Sequence, residues 1–213
     1  VRTGGRISSY KDNKILLTVG DLADETSPQD PKSLKGKIIS IDKNTGEYKI
    51  ISMGHRNQQG LFYLNKNDII INSEHGPKGG DEININNNSS GISNFGWAVS
   101  SYGTTYDNKE IYKKSHKKFG FNEPLLKYVP SIGISQIDYH EDKIKNENII
   151  FTSSLRASSI YVNKVNKNFT KVRDQERIYI SNERIRDIKY DEETNSLFCI
   201  FETVPSFGVI KLK

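Results

Sequence analysis

The 213-residue sequence contains one cysteine, one methionine, one tryptophan and three alanines. A lone Cys199 closes no intramolecular disulfide, so a disulfide-stapled scaffold is excluded. No apolar run approaches the roughly 18 residues that a membrane-spanning helix needs. Scarce alanine beside 27 isoleucines tilts the balance from helix toward strand, because β-branched side chains favour pleated backbone. The expectation is an all-β protein of one domain, or two at most. Clustered charge is also lacking. Lys+Arg against Asp+Glu counts are 9 and 7, 3 and 4, 8 and 7, then 11 and 8 over residues 1–50, 51–100, 101–150 and 151–213. A net charge of +5 without a basic block argues against a nucleic-acid partner, and lysines outnumbering arginines 23 to 8 fit a solvated surface.

The sequence opens Val1-Arg2-Thr3-Gly4-Gly5-Arg6, with no initiator Met and no apolar signal core. It is expected to be an internal-to-C-terminal fragment of a longer protein.

A unit of two short apolar strands joined by a polar turn, usually followed by a third strand, recurs about four times. The strand pairs are Arg6–Tyr10 with Ile15–Val19, Gly60–Leu64 with Asp68–Asn72, Ser135–Tyr139 with Ile149–Thr152, and Ile185–Tyr190 with Leu197–Phe201. Outer strands are predicted at Lys37–Asp42, Ser159–Val162 and Phe207–Leu212. Each copy resembles a propeller blade, and the long third interval carries an insertion at about 98–130 rich in Tyr, Lys and Gly. A two-sheet sandwich is the competing architecture, but it does not require such a repeat.

Three polar, Gly-punctuated segments lie where strands end: residues 54–61 (GHRNQQGL), 73–84 (SEHGPKGGDEIN) and 94–97 (NFGW). Together they resemble the soluble quinoprotein aldose dehydrogenases, the glucose/sorbosone dehydrogenase family. The opening GGRI with TVGD at 18–21, PSIG at 130–133, Ser154-Leu155-Arg156 and Arg184-Ile185-Arg186-Asp187 fit the same family, so the resemblance covers essentially the whole chain. It implies a six-bladed β-propeller holding pyrroloquinoline quinone (PQQ) with Ca²⁺, of which residues 1–213 form a single partial domain supplying about four blades.

The resemblance assigns Arg56 and Asn57 to the quinone, with Arg56 stabilising negative charge as the quinone is reduced. It assigns Arg184 and Arg186 to the cofactor's carboxylates; Arg156 stands where relatives carry Lys or another basic residue. Planar guanidinium groups suit carboxylates better than ammonium groups do, and five of the eight arginines, including Arg6, fall inside the matching motifs. Surface ion pairs with Glu183 and Asp187 are the alternative for Arg184 and Arg186. Main-chain carbonyls of Gly76 and Pro77 would bind the calcium, and oxygen is the ligand atom that Ca²⁺ takes. The acidic pair Asp81 and Glu82 reads either as further ligands or as groups that orient and neutralise the Gly-rich loop. A second calcium position after the GW motif stays open, because residues 100–104 (SSYGT) lack a carboxylate.

His55 and His75 are expected to support the site, and His116 and His140 to be packed, hydrogen-bonded residues. The family's general base, a His four residues before the Arg of its opening motif, is replaced by Arg2. Arg stays charged and cannot accept a proton. Three functions therefore remain: a PQQ-dependent enzyme oxidising C1 of an aldose to a lactone, a catalytically impaired PQQ- or sugar-binding propeller, or an enzyme with altered substrate preference and a different base. The resemblance further implies a small-molecule sugar substrate, an electron acceptor, and a periplasmic or secreted location.

Overall fold

Alternating burial along β1 (Gly4–Tyr10), exposed at Gly5, Ile7 and Ser9 and more covered between them, is the period-2 signature of a strand with one face inward. The computed structural model describes residues 2–87, 91–180 and 182–212; Val1 of the opening motif lies outside them. Antiparallel β2 (Lys14–Val19), β3 (Lys37–Asp42) and β4 (Tyr48–Met53) follow β1 in one sheet. A second sheet holds β5 (Gln58–Leu64), β6 (Ile69–Glu74) and β7 (Asp81–Asn86). Short β8 (Ser93–Asn94) joins the first sheet beside β4, and β9 (Leu126–Tyr128) joins the second beside β7. Residues 1–131 form one compact unit, and residues 132–213 form another.

The second unit contains a four-stranded sheet of β10 (Ile134–Asp142), β11 (Glu147–Ser154), β12 (Ser159–Val165) and β13 (Val172–Ile180). It also contains a three-stranded sheet of β14 (Ile185–Asp191), β15 (Ser196–Phe201) and β16 (Ser206–Lys211). The predicted strands coincide with these elements except at two ends, Asp68 lying just before β6 and Leu212 just after β16, and four sheets match the fourfold repeat. Strands β4, β7, β8, β9 and β13 have no counterpart among the predicted ones. The stretch 98–130 holds no regular element among its described residues beyond one 3₁₀ turn, Lys117–Phe119, and β9.

Tyr10, Leu16, Ile38, Leu61 and Ile70 form an apolar cluster in the first unit. Phe151, Ile160, Val162, Ile185, Ile188, Leu197 and Cys199 form one in the second. Burial of each large aliphatic side chain stabilises by about 1.5–3 kcal/mol, which is what holds these sheets face to face. The first strand of every sheet carries a register shift near its start: between Gly4 and Ile7, Gln58 and Gly60, Ile134 and Ile137, and Ile185 and Asp187. Such bulges re-aim side chains, and the polar motifs sit at or beside them.

Candidate active site

Arg56 leaves the turn before β5 with 6% of its surface exposed. Its guanidinium carbon lies 5.2 Å from the Trp97 ring centroid, within cation–π range. Nη1 donates to the carbonyl oxygens of Gly76 (2.7 Å) and His75 (3.3 Å), and Nη2 reaches the Tyr106 hydroxyl at 3.5 Å. Nε is buried and takes no hydrogen-bond partner. A buried charged group with an unused donor is costly unless something else satisfies it. The neighbouring Asn57 is half-buried, its Oδ1 accepting from Gly4 N (3.2 Å) and Gln59 Nε2 (3.1 Å).

The Gly-rich turn between β6 and β7 brings Gly76 and Pro77 beside Arg56. Gly76 has to be glycine: a Cβ there would lie 2.3 Å from both the Gly79 and Gly80 carbonyl oxygens. Asp81 Oδ1 accepts the Gly76 N–H at 3.1 Å, so this carboxylate braces the turn. The Pro77 carbonyl takes no main-chain donor among the described residues.

Behind Arg56 lies a buried polar layer. Glu74 accepts the Arg56 N–H (2.7 Å), meets His55 Nδ1 (2.8 Å) and accepts from Asn84 Nδ2 (2.7 Å). His55 Nε2 meets Ser52 Oγ at 2.8 Å, and its ring stacks on Phe95 with centroids 4.9 Å apart. Burial alone would raise the Glu74 carboxyl, but His55 and the Arg56 N–H outweigh it and hold the group below its ordinary value. His116 Nδ1 bonds the Phe95 carbonyl (2.9 Å), and its Nε2 lies 3.2 Å from Glu82 Oε1. Burial pushes Glu82 up, with the Glu74 charge adding to it; burial pulls His116 down, but Glu82 more than compensates and raises it. Gly54, Arg56, Glu74, Glu82, Trp97 and His116 line a cavity with room for about one water molecule.

Arg2 donates from Nη1 to Asp21 Oδ2 (2.9 Å) and to Glu25 Oε1 (3.3 Å). Asp21 is fully buried, accepting also from Trp97 Nε1 (2.8 Å) and Ala23 N (2.9 Å). Burial raises its carboxyl despite those donors and the nearby charges of Arg2 and Arg56. Asp21 and Trp97 stood inside recognised motifs, yet sequence reasoning gave neither a role, because their contact spans 76 residues.

Within the second unit, Arg184 and Arg186 both pair with Glu202, at 3.5 and 2.5 Å. Strand alternation does not account for this, because Arg184 precedes β14 and a register shift lies between Ile185 and Asp187; the shared carboxylate is Glu202, on the turn after β15. Arg156 is exposed on the turn after β11, its N–H donating to the Ile132 carbonyl at 3.0 Å. His140 packs its ring 4.7 Å from that of Tyr190.

The sequence matches the Glucose / Sorbosone dehydrogenase family over residues 1–203. The chain belongs to that family. Aldose sugar dehydrogenase YliI of Escherichia coli (strain K12) is 27% identical over 203 residues, covering 87% of this chain and 53% of its own length. A crystal structure of a glucose dehydrogenase superposes with a TM-score of 0.81 at 23% identity, over 99% of this chain and 64% of that one. The PQQ-bound form of aldose sugar dehydrogenase from Streptomyces coelicolor superposes with a TM-score of 0.70 at 23% identity, over 94% of this chain and 56% of that one. The fold is that of the six-bladed β-propeller family, with this chain supplying four blades. The chain spans about half the length of the curated relatives it matches.

Proposed function

We propose that this chain forms part of a PQQ- and calcium-dependent aldose dehydrogenase. The observation that carries the reading is Arg56: a buried guanidinium within cation–π range of Trp97, with Nε unpartnered, beside two carbonyls of the Gly-rich turn. That donor set fits a planar, anionic cofactor bearing carboxylates and a quinone. The carbonyl oxygens of Gly76 and Pro77 fit a hard cation, because an oxygen holding one hydrogen bond keeps a second lone pair. By the family resemblance, Arg56 and Asn57 would hold the quinone, and Arg184, Arg186 and Arg156 are assigned to its carboxylates. When bound there, PQQ would supply the two-electron acceptor that oxidation of C1 of an aldose to a lactone requires.

The chain's own residues supply positioning and charge. Arg56 offers fixed positive charge where reduction develops negative charge, at no cost in reorganisation. Glu74, His55 and Asn84 keep its backbone in place, and Trp97 excludes water from one side of its guanidinium. Asp21, held by Trp97 and Arg2, is a buried carboxylate that burial makes readier to take a proton. A second reading, a propeller that binds PQQ or sugar without turnover, is favoured by one observation: Arg2 stands at the family's base position, tied to Asp21 and Glu25.

By resemblance, we also propose a periplasmic or secreted location, a separate electron acceptor, and residues 1–213 as part of one propeller domain with an insertion at 98–130. Titration of the full-length protein with PQQ, with and without calcium, is the primary test. Dye-linked oxidation of glucose and other aldoses then separates the two readings. No binding of PQQ in the presence of calcium would remove the cofactor assignment.

A further inference from the structure

Lys37, the first residue of β3, has no exposed surface. Its ammonium donates to three main-chain carbonyls, of Ser27 (3.0 Å), Pro28 (2.9 Å) and Lys35 (2.8 Å). All three N–H donors of the group are thereby used. The segment it gathers includes the 3₁₀ turn Ser27–Gln29, and that turn rests directly on the candidate site. Gln29 Nε2 donates to the Trp97 carbonyl at 2.6 Å, and the Gln29 amide exchanges hydrogen bonds with the Asn94 amide at 3.2 and 2.8 Å. The Pro28 carbonyl also accepts the Gly54 N–H at 3.1 Å.

We propose that Lys37 is a positioning residue of the site, its ammonium acting as a built-in monovalent cation. Caged by three carbonyls, it holds the 27–35 segment so that Gln29 fixes Trp97, and Trp97 fixes the Arg56 guanidinium. The last step alone rests on the reading of Arg56 as a cofactor ligand.

A buried charge is a poor way to gain stability, since an apolar group of similar volume is often neutral or better. Burial pushes the Lys37 ammonium down to about 8, with the Asp30 charge pulling it back. The Lys35 ammonium is directed away to Asp24 at 2.9 Å. Two of the caged carbonyls keep another donor when Lys37 is removed: Asp30 N on Ser27 (3.0 Å) and Gly54 N on Pro28 (3.1 Å). Replacement by an apolar residue should therefore cost geometry rather than global stability. That contrast separates positioning from a core-packing role.

The experiment uses the full-length protein labelled with 5-fluorotryptophan, the Trp97 resonance being assigned by its loss in Trp97→Phe. Lys37→Met is expected to move that resonance and the Arg56 Nε–H resonance, and to weaken calcium-dependent PQQ binding at least tenfold. Its melting temperature should stay within a few degrees of the parent's. Ethylammonium added to Lys37→Ala should restore the parent resonance. A folded Lys37→Met with both resonances unmoved overturns the proposal, as does an unchanged PQQ affinity when they have moved. If Lys37→Met does not fold, Gln29→Leu decides, because it leaves the ammonium cage intact and cuts only the link to Trp97. An unmoved Trp97 resonance in Gln29→Leu overturns the proposal. Failure of the parent protein to bind PQQ removes the proposed function, while the two resonances still judge the role of Lys37.

Discussion

Arg56 donates from Nη1 to the carbonyl oxygen of Gly76 at 2.7 Å, so one hydrogen bond joins the proposed quinone ligand to the proposed calcium ligand. A divalent cation arriving at that oxygen would meet the guanidinium charge with little water between them. Anionic cofactor groups placed between the two would remove the repulsion. Calcium and PQQ should therefore bind with positive coupling, each raising the affinity of the other equally. We expect a mutual gain of at least about tenfold, or 1.4 kcal/mol, read by calorimetry of each ligand with and without the other. Equal calcium affinity with and without PQQ would contradict a shared site.

Arg56→Lys keeps the charge but loses Nε and the planar fork. PQQ binding should weaken by about 1.5–3 kcal/mol, the scale of a charge-assisted hydrogen bond, with little change in melting temperature. Fluorescence titration of PQQ gives the affinity directly. A lysine variant binding as tightly as the parent would mean that Arg56 serves only Gly76 and Trp97.

Gly76→Ala forces a Cβ to within 2.3 Å of two carbonyl oxygens, and backbone cannot swing aside as a side-chain tip can. The turn must open, at a cost of about 1–3 kcal/mol for overpacking. Two results are expected together: a lower melting temperature, and loss of the further rise that calcium gives the parent. Gly46, with nothing within 4 Å of an added Cβ but a positive φ of 74°, is the control for backbone strain without a clash.

Apolar runs made the central strands legible. Ile69–Glu74 is covered on both faces and opens with three consecutive isoleucines. By contrast β13 is a charged, exposed edge strand, and β7 begins with the two carboxylates that the sequence suggests belong to a loop. At the site, Arg56 and Gly76 announced themselves because each sits in a contiguous motif. Lys37, Gln29 and the Asp21–Trp97 contact did not. Their partners lie up to 76 residues away, and a buried lysine in a strand reads as a surface position until its three carbonyls are seen.

His116 supplies a pH dependence in the neutral range. Its folded value is raised above 6.5, burial being outweighed by Glu82, so the folded state holds its proton longer than the unfolded chain does. The stabilisation is fully present below 6.5 and is lost as pH rises through the folded value. Glu82 is raised too, and contributes with the same sign at lower pH. The melting temperature should fall as pH rises above about 6.5, and His116→Gln should flatten that slope. An unchanged slope would place the titrating group elsewhere.

Arg2 decides between enzyme and binding protein. General-base catalysis typically contributes about 10²- to 10⁴-fold, and a guanidinium that donates to Asp21 and Glu25 has no lone pair with which to accept the sugar's proton. Arg2→His in the full-length protein would put an imidazole beside Asp21, whose carboxylate can orient the ring by accepting from one of its nitrogens. With PQQ and calcium saturating, turnover of glucose or another aldose should rise by a large part of that factor. The Arg2→Gln variant, which offers no base, should stay at the parent's rate. Brisk oxidation by the parent, unchanged in Arg2→His, would show that another group takes the proton, with Asp21 first to be tested as Asp21→Asn. No turnover in any variant despite tight PQQ binding would favour the reading of a propeller that holds its cofactor without using it.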